Sequence, residues 1–413
     1  MTKNNNKLLI INQFFPPDFA ATGQLLESIS KFISVKNIDV EILTTMPNYS
    51  NLKSKPLKIE KKANLMVRRF NTPFVSKGIM SKLINGILFS IKVFFSIILK
   101  NDKIDLILYT SEPPFINLTA LIINKLFNIS FIYIIYDLYP DVIVKNQILK
   151  RGNIFIRFWE KVNQYVFSTS KEIIVLDSVM ANKIKKKYHL YKNNINVLPS
   201  FTNTKKIKPI SKKENWFAKK YNPENKFVAI YSGNQGRCHD LKTIIETALI
   251  LKKTTDIYFI FIGNGYQNKF LNQKILELNL DNCFTMDYLD KKDISYSLNS
   301  ADIAFVTINE KSNGLIAPSK IYGHLAAGTP IAAISPKNTF ISRLVKKEKF
   351  GKWFKNGESN KLASWLIEMK DKKHLSKKMG ELGRKYVEEN ASEKIICSKY
   401  LNIFEKYLSP NIK

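Results

Sequence analysis

The residues best suited to chemistry lie in two stretches of the second half of the chain, and both are typical of anion binding. The first is Ala317-Pro-Ser-Lys-Ile-Tyr-Gly-His-Leu-Ala-Ala-Gly-Thr-Pro330. Pro318 can begin a helix, since its missing N–H costs nothing there, and Ser319 and Lys320 would lie in the first turn, where free backbone N–H groups attract an anion. Gly328 would end this helix. Taken alone, the stretch also fits an ordinary capped helix.

The second stretch is Tyr231-Ser-Gly-Asn-Gln-Gly-Arg-Cys-His-Asp-Leu-Lys242, which continues an apolar run. Gly233 and Gly236, on either side of Asn234, allow a ligand to approach the backbone closely. Arg237 can hold a diphosphate through two parallel hydrogen bonds. The two stretches together predict a site for a phosphorylated ligand.

The first half of the chain places a carboxylate at the end of an apolar run. Asp137-Leu-Tyr-Pro140 follows directly on Phe131–Tyr136. A carboxylate in this position can take a proton from an incoming hydroxyl group, and an Asx turn that caps the strand is the structural alternative. Neither an Asp-x-Asp pair nor a His/carboxylate cluster occurs, so we expect no metal and no other cofactor.

Short apolar runs alternate with helical patterns along most of the chain, as in β-α-β units with right-handed crossovers. Residues 201–226, which include Pro209 and Pro223, interrupt this alternation and are predicted to be a linker. We therefore expect one domain at residues 1–200 and a second at 227–390. The predicted strands are Leu8–Asn12, Val40–Thr44, Leu65–Phe70, Leu106–Thr110, Phe131–Tyr136, Ile173–Asp177, Phe227–Ser232, Ile257–Ile262, Phe284–Asp287, Ile303–Thr307 and Ile331–Ile334.

Doubly wound sheets often bind dinucleotides, but the required fingerprint is missing. No G-x-G-x-x-G follows the first predicted strand, and after Gly263-Asn-Gly265 the third glycine position is occupied by Asn268. No Walker A sequence occurs either. Dinucleotide binding and P-loop chemistry are therefore disfavoured.

The two anion-binding stretches together resemble the nucleotide-binding domain of glycosyltransferase family 4, whose members are retaining enzymes with the GT-B fold. The resemblance is strongest to the bacterial branch that builds capsular, colanic-acid-like and O-antigen polysaccharides, including fucosamine transferases. In that branch, Y-x-G-N-x-G-R and P-S-K-x-Y-G-x-L-A-A-G-x-P occur together. Phe15-Pro-Pro-Asp-Phe-Ala-Ala-Thr-Gly23 resembles the family's loop after the first strand, and Asp137-Leu-Tyr-Pro140 resembles its D-L-W-P, with Tyr139 in place of Trp.

The resemblance implies an α/β protein with two doubly wound Rossmann-like domains that face each other across a cleft. The first would bind a polyprenyl-linked glycan acceptor and the second a nucleotide-sugar, UDP-linked as is commoner in this branch. Residues 391–413 would form a helix that packs back on the first domain. Asp137, Arg237 and Lys320 would be catalytic, and Asp137 and Tyr139 would contact the acceptor. The donor would be bound by Gly23, Gly233, Asn234, Gly236, Arg237, Glu310, Pro318, Ser319 and Lys320.

One hallmark of the family is absent. Many members carry two glutamates separated by seven residues, and the second normally accepts hydrogen bonds from the donor ribose. The corresponding positions are Leu315 and Gly323. Glu310, five residues upstream of Leu315, is a candidate replacement.

The chain has 413 residues and a formal net charge of +31. A skewed genome composition could produce this excess of Lys without any function; otherwise it favours polyanions. An anionic membrane is a better fit than nucleic acid, because no nucleic-acid-binding motif occurs. Residues 53–100 carry eleven basic residues against Glu60, and Leu83–Leu99 is rich in Phe with Lys92 near its middle. This pattern indicates an interfacial helix on the inner leaflet rather than a membrane-spanning one, with a buried core helix as the alternative.

Cys238, Cys283 and Cys397 are scattered and indicate a reducing compartment, and the N-terminus does not resemble a signal peptide. We therefore expect a cytoplasmic protein, peripheral on the cytoplasmic membrane. Two other functions remain open: a GT-B-fold nucleotide-sugar 2-epimerase, and a noncatalytic basic membrane-binding protein. The first calls for more acidic and histidine groups than the sequence offers, and the second does not explain two phosphate-binding stretches.

Overall fold

The structure is a computed structural model of the chain, and it describes residues 6–18, 20–47, 56–72, 79–99, 103–191, 194–222, 224–254 and 256–408. The chain divides into two compact units. The first unit consists of Met1–Pro199 with Ile396–Lys413, and the second of Ser200–Ile395.

The first unit is built on an eight-stranded sheet with the order β3-β4-β2-β1-β5-β6-β7-β8. Neighbouring strands are parallel, except that β3 runs antiparallel to β4. The strands are β1 (Asn6–Ile11), β2 (Ile38–Thr45), β3 (Ile59–Lys62), β4 (Leu65–Phe70), β5 (Leu106–Thr110), β6 (Phe131–Ile135), β7 (Glu172–Val175) and β8 (Ile195–Val197). The helices are α1 (Ala21–Ser34), α2 (Ile79–Ile98), α3 (Ile116–Phe127), α4 (Asp141–Lys145), α5 (Ile154–Thr169) and α6 (Ser178–Tyr188).

The direction in which the chain crosses this sheet determines where its helices lie. From β1 the chain moves outward through α1 to β2, whereas from β4 it moves in the opposite direction through α2, α3, α5 and α6. Because parallel crossovers are right-handed, α1 covers one face of the sheet and the other four helices cover the opposite face. Consistently, α3 contacts both α2 and α5. The side chains of β5 and β6 are buried throughout, since helices cover both faces.

The second unit has a six-stranded parallel sheet with the order β11-β10-β9-β12-β13-β14. The strands are β9 (Phe227–Ser232), β10 (Ile257–Ile262), β11 (Cys283–Met286), β12 (Ile303–Thr307), β13 (Ile331–Ile334) and β14 (Gly351–Phe354). The helices are α7 (Trp216–Tyr221), α8 (Lys242–Ile250), α9 (Asn268–Glu277), α10 (Ile294–Leu298), α11 (Lys320–Ala326), α12 (Phe340–Glu348), α13 (Ser359–Asp371) and α14 (Lys373–Asn390); α15 (Glu393–Glu405) completes the chain. The side chains of alternate strand residues pack into two apolar cores, one on each face of the sheet.

Each sheet has one topological switch point, where the strand order reverses. It lies between β1 and β5 in the first unit, and between β9 and β12 in the second. Ligands of open α/β sheets bind beyond the carboxyl ends of the strands at such points. Both groups of candidate residues from the sequence follow strands at or beside these switch points.

The segment predicted to be a linker is ordered within the second unit, apart from Pro223, which lies outside the described residues. It contains α7, which Asn215 caps by accepting hydrogen bonds from two backbone N–H groups, and Phe217 is fully buried. Arg384 of α14 donates hydrogen bonds to the carbonyl oxygens of Thr204 and Ile207. The prolines therefore mark a break in the β-α-β alternation. They do not mark a free linker, because α7 and the carbonyl groups of Thr204 and Ile207 are bound to the second unit.

Candidate active site

The switch point of the second unit is formed by three loops. The loop after β9 carries the predicted Gly233, Asn234, Gly236 and Arg237, and the loop after β12 carries Glu310 and leads to α11 with Lys320. Residues 263–267, after β10, form the third loop.

Two of these loops contact each other through their backbones. The N–H of Gly233 donates to the carbonyl oxygen of Ile262 at 2.8 Å, and that of Gln235 donates to Asn264 at 2.9 Å. A Cβ atom on Gly263 would lie 2.3 Å from the carbonyl oxygen of Gly233, and its φ of +122° also favours glycine. The glycines after β10, which do not form a dinucleotide fingerprint, thus support the loop that was predicted to bind the donor.

Lys320 contacts this loop from α11. Its Nζ lies 3.7 Å from the ring centroid of Tyr231 and 3.4 Å from the carbonyl oxygen of Asn234. Burial lowers the pKa of Lys320 well below its ordinary value. An anion bound here would offset that cost and favour the charged form.

Arg237 is held by a second aromatic ring. Its guanidinium carbon lies 3.3 Å from the ring centroid of Tyr266, a distance typical of a stacked cation–π pair. Its carbonyl oxygen accepts a hydrogen bond of 2.6 Å from the side chain of Asn309, which precedes Glu310. The three loops therefore bring Arg237, Glu310 and Tyr266 to one end of the sheet.

Among the described residues, no carboxylate forms an ion pair with Lys320 or Arg237. His239, in the same loop, is neutral: burial and the nearby charge of Lys320 lower its pKa to about 3. Its Nδ1 lies 2.8 Å from the carbonyl oxygen of Thr307, so this nitrogen carries the hydrogen. The site therefore offers two cations that no carboxylate of the described residues pairs with, which suits a diphosphate.

The other predicted donor residues lie around α11. Ser319 is the N-cap of this helix without a side-chain cap, Pro318 is buried, and Glu310 is exposed on a single 3-10 turn. The helix α11 has only seven residues, and Lys320 is the first of them.

The missing family glutamates are replaced by packing residues. Leu315 is buried, and a Cβ atom on Gly323 would lie 3.2 Å from a methyl group of Leu298. A larger side chain at position 323 would require this methyl group of Leu298 to shift. A ribose contact, if the site has one, therefore comes from another residue.

In the first unit, Asp137 follows β6 beside the switch point. Its backbone N–H donates to Ser111 Oγ at 3.2 Å, which fixes the end of the strand. Burial, together with the negative charge of Glu112, raises the pKa of the Asp137 carboxyl to about 7. No cation among the described residues forms an ion pair with it. Asp137 can therefore exchange a proton near neutral pH.

Tyr139 and Gly23 also lie at this end of the first unit. The ring of Tyr139 stacks on that of Trp159, with centroids 6.1 Å apart. A Cβ atom on Gly23 would lie 2.8 Å from the carbonyl oxygen of Phe14, so glycine lets α1 pack against the loop after β1. The predicted role of Gly23 in donor binding remains a prediction. Phe19, in the same motif, lies outside the described residues.

Sequence reasoning missed two residues of these sites. Glu112 acts on the pKa of Asp137 and accepts a hydrogen bond of 2.8 Å from Thr22. Tyr266 covers Arg237. Tyr266 follows the Gly263-Asn-Gly265 sequence directly and could have been recognised there, whereas no motif indicates Glu112. Within the described residues, no group of three or more His, Cys, Asp and Glu side chains could hold a metal ion.

The second unit is similar to a known protein family. Residues 212–386 match the family Glycosyl transferases group 1. The chain is 24% identical over 338 residues to the probable glycosyltransferase WbjE of Pseudomonas aeruginosa, covering 81% of this chain and 82% of WbjE.

Two solved structures show the same fold over nearly the whole chain. Sucrose-phosphate synthase from Thermosynechococcus elongatus superposes with a TM-score of 0.79 and 14% identity, covering 97% of this chain and 99% of that one. Anabaena Alr3699/HepE, solved in complex with UDP and glucose, superposes with a TM-score of 0.71 and 14% identity, covering 97% of this chain and 100% of that one. The chain therefore has the GT-B fold, is similar in sequence to a probable glycosyltransferase, and matches the glycosyl transferases group 1 family over residues 212–386.

Proposed function

We propose that this protein is a retaining glycosyltransferase that moves a sugar from a nucleotide-sugar, UDP-linked, to a polyprenyl-linked glycan during cell-surface polysaccharide synthesis. The observation that carries the proposal is the pair of cations Arg237 and Lys320, which lie at the glycine loop of the switch point and pair with no carboxylate in the described part of the chain. The presence of UDP and glucose in the HepE structure supports the choice of donor.

The donor diphosphate would lie against Gly233, Asn234 and Gly236. Arg237 and Lys320 would stabilise the negative charge that develops on the departing nucleotide, which is typically the largest single contribution to catalysis. Ser319, next to Pro318 and Lys320, would assist from the helix cap. Because charged side chains supply this stabilisation, the proposed reaction needs no metal and no other cofactor.

The acceptor would bind to the first unit. Asp137 would take the proton of the attacking hydroxyl, and Tyr139 would stack against the acceptor sugar. Gly23 would allow the backbone to approach the donor phosphates. Glu310 would contact the ribose in place of the missing family glutamate; its neighbour Asn309 is already bonded to the backbone of Arg237.

The proposed acceptor is lipid-linked, so we also propose a location at the inner face of the cytoplasmic membrane. The excess of basic residues supports this location. Of the basic residues between 53 and 100 that suggested it, Lys53, Lys55, Lys77 and Lys100 lie outside the described residues.

Product analysis tests the function. The protein should be incubated with UDP- and GDP-sugars and a polyprenyl-linked glycan acceptor, and the products examined by mass spectrometry and for anomeric configuration. We expect an acceptor enlarged by one sugar, with release of the nucleoside diphosphate and retained configuration. A 2-epimerised sugar formed without acceptor would support the epimerase alternative, and unchanged substrates throughout the panel would contradict transfer.

A further inference from the structure

The helix layer of α2, α3 and α5 in the first unit has an unusually apolar outer surface. In α2, the side chains of Phe89, Val93 and Ile97 are buried against the unit. Ile91 and Phe95, two residues out of step with them, lie on the opposite side and are about half exposed, at 47% and 53%. A surface helix normally presents polar residues there, so α2 is apolar on both sides.

The neighbouring helices continue this surface. Leu126 and Phe127 at the end of α3 are exposed by 63% and 48%, and Phe158 of α5 by 52%. Because α3 contacts both α2 and α5, and all three cover the same face of the sheet, their outer sides lie on the same side of the unit. We call this surface the apolar face.

The charge of the same three helices is positive. Among the residues whose side chains are described, they carry Lys92, Lys125, Arg157 and Lys161, and a single acidic residue, Glu160. Glu160 is ion-paired with Lys187 of α6. The apolar face therefore combines large apolar side chains with cations that no acidic neighbour on α2 or α3 opposes.

We infer that the apolar face docks on an anionic lipid bilayer, with α2, α3 and α5 lying parallel to its surface. This combination of exposed Ile, Leu and Phe with basic residues on the same helices is the chemistry of interfacial helices, which insert apolar side chains at the headgroup boundary and attract acidic lipids. Among the described residues, no helix is long and apolar enough to span a bilayer.

The inference deepens the proposed function, because a polyprenyl-linked acceptor lies in a membrane. The apolar face also reaches the candidate acceptor site. Phe155 and Trp159 of α5 contact each other with centroids 5.6 Å apart, and Trp159 stacks on Tyr139, two residues after Asp137. Docking through this face would therefore bring the acceptor carboxylate close to the headgroup region.

Sedimentation of the full chain with lipid vesicles tests the docking. We expect binding to vesicles of phosphatidylglycerol and phosphatidylcholine to be roughly tenfold or more stronger than binding to phosphatidylcholine alone, since several cations contribute. The double variants Ile91→Ser/Phe95→Ser and Leu126→Ser/Phe127→Ser should each weaken it roughly tenfold, because each withdraws two large apolar side chains from the bilayer.

The matched control is Leu249→Ser/Ile250→Ser, an adjacent pair at the end of α8 in the second unit, exposed by 42% and 45%. It should bind vesicles like the wild type. Equal loss in control and test variants, binding that ignores lipid charge, or a dimer that only the test variants dissociate would overturn the inference.

Transfer to a short-chain, water-soluble acceptor separates this inference from the proposed function. The docking variants should retain that transfer at the wild-type rate. If transfer is absent but the vesicle results hold, the proposed function fails and the docking surface stands; if transfer holds but vesicle binding is absent, the docking surface fails alone.

Discussion

Asp137 and Glu112 are two carboxylates of the first unit whose charges disfavour each other. Glu112 accepts a hydrogen bond from the hydroxyl of Thr22. Burial is the larger cause of the raised pKa of Asp137, and the negative charge of Glu112 is the second. A general base is most effective when its pKa lies near the working pH. Asp137, with a pKa of about 7, meets this condition without a histidine.

This pair predicts a specific pH dependence. If ionised Asp137 is the base, kcat/KM should rise with pH and level off above about 7. Glu112→Gln removes the negative charge that raises this pKa, so the rising limb should move to lower pH. Rate profiles of both proteins check this, and an unmoved limb in the variant would contradict the coupling.

Asp137→Asn keeps the shape of the side chain and removes its charge. We expect turnover to fall by about tenfold or more, since general-base catalysis typically contributes about 10²–10⁴ in rate. Transfer assays at saturating donor check this. Normal turnover would favour the alternative in which Asp137 only caps the strand.

Stability measurements provide the control for misfolding. The folded carboxyl binds protons up to about pH 7, whereas an unfolded Asp loses its proton near about pH 4, so the free energy of unfolding falls as pH rises through this window. Asn at position 137 does not ionise, so the variant lacks this pH-dependent fall in the free energy of unfolding. The variant should therefore be at least as stable as the wild type at neutral pH, as measured by denaturant unfolding.

Tyr266 determines where the guanidinium of Arg237 lies. Tyr266→Ala should weaken UDP binding about two- to fivefold, because an exposed cation–π contact contributes about 0.5–1 kcal/mol. Tyr266→Phe retains the ring and should bind UDP like the wild type. Calorimetric titration compares the three proteins, and equal affinity for the alanine variant would show that Arg237 does not need the stack.

At the scale of elements, the donor site depends on how closely the loops after β9 and β10 approach each other. Gly263→Ala would force a methyl group against the carbonyl oxygen of Gly233 at a positive φ. We expect the free energy of unfolding to fall by about 2 kcal/mol or more, through strain and overpacking.

Gly357→Ala is the matched control for Gly263→Ala. Gly357 also has a positive φ, +83°, but no atom lies within 4 Å of its added Cβ. It reports backbone strain alone, expected at about 1 kcal/mol. Denaturant unfolding measures both variants; equal losses would show that the loop contact contributes nothing beyond strain.

The sequence predicted the elements that are continuous apolar runs, because buried parallel strands require them. Strands β4, β5, β9, β10, β12 and β13 have the predicted bounds. The three missed strands lie at or next to sheet edges: β3, with the sequence Ile-Glu-Lys-Lys, is largely exposed, β8 has three residues, and β14 begins with Gly351. Edge strands bury few side chains, so their sequences carry little apolar signal.

The candidate site was predicted less completely than the fold. Arg237 and Lys320 were found because glycines and cations follow strands at recognisable spacing. Glu112 was not, since its effect on Asp137 arises only where β5 and β6 end side by side. Such a contact depends on tertiary structure rather than on any local sequence pattern.

At the scale of the molecule, the net charge of +31 is distributed over both units rather than confined to the apolar face. General attraction to acidic lipids would therefore persist when apolar side chains are removed, but it falls steeply with ionic strength. At high salt, the apolar side chains of α2 and α3 should account for most of the remaining vesicle binding.

The central claim is that the second unit binds the donor nucleotide while the first provides the base. A calorimetric titration with UDP, applied to single variants of each unit, tests it most directly. Arg237→Ala and Lys320→Ala should each weaken UDP binding by about 1.5–3 kcal/mol, the cost of a lost charge-assisted contact. Asp137→Asn and Lys242→Ala, the latter an exposed lysine of α8 paired with Glu246, should bind UDP like the wild type. Unchanged affinity in both cation variants, or a comparable loss in Asp137→Asn, would contradict the account.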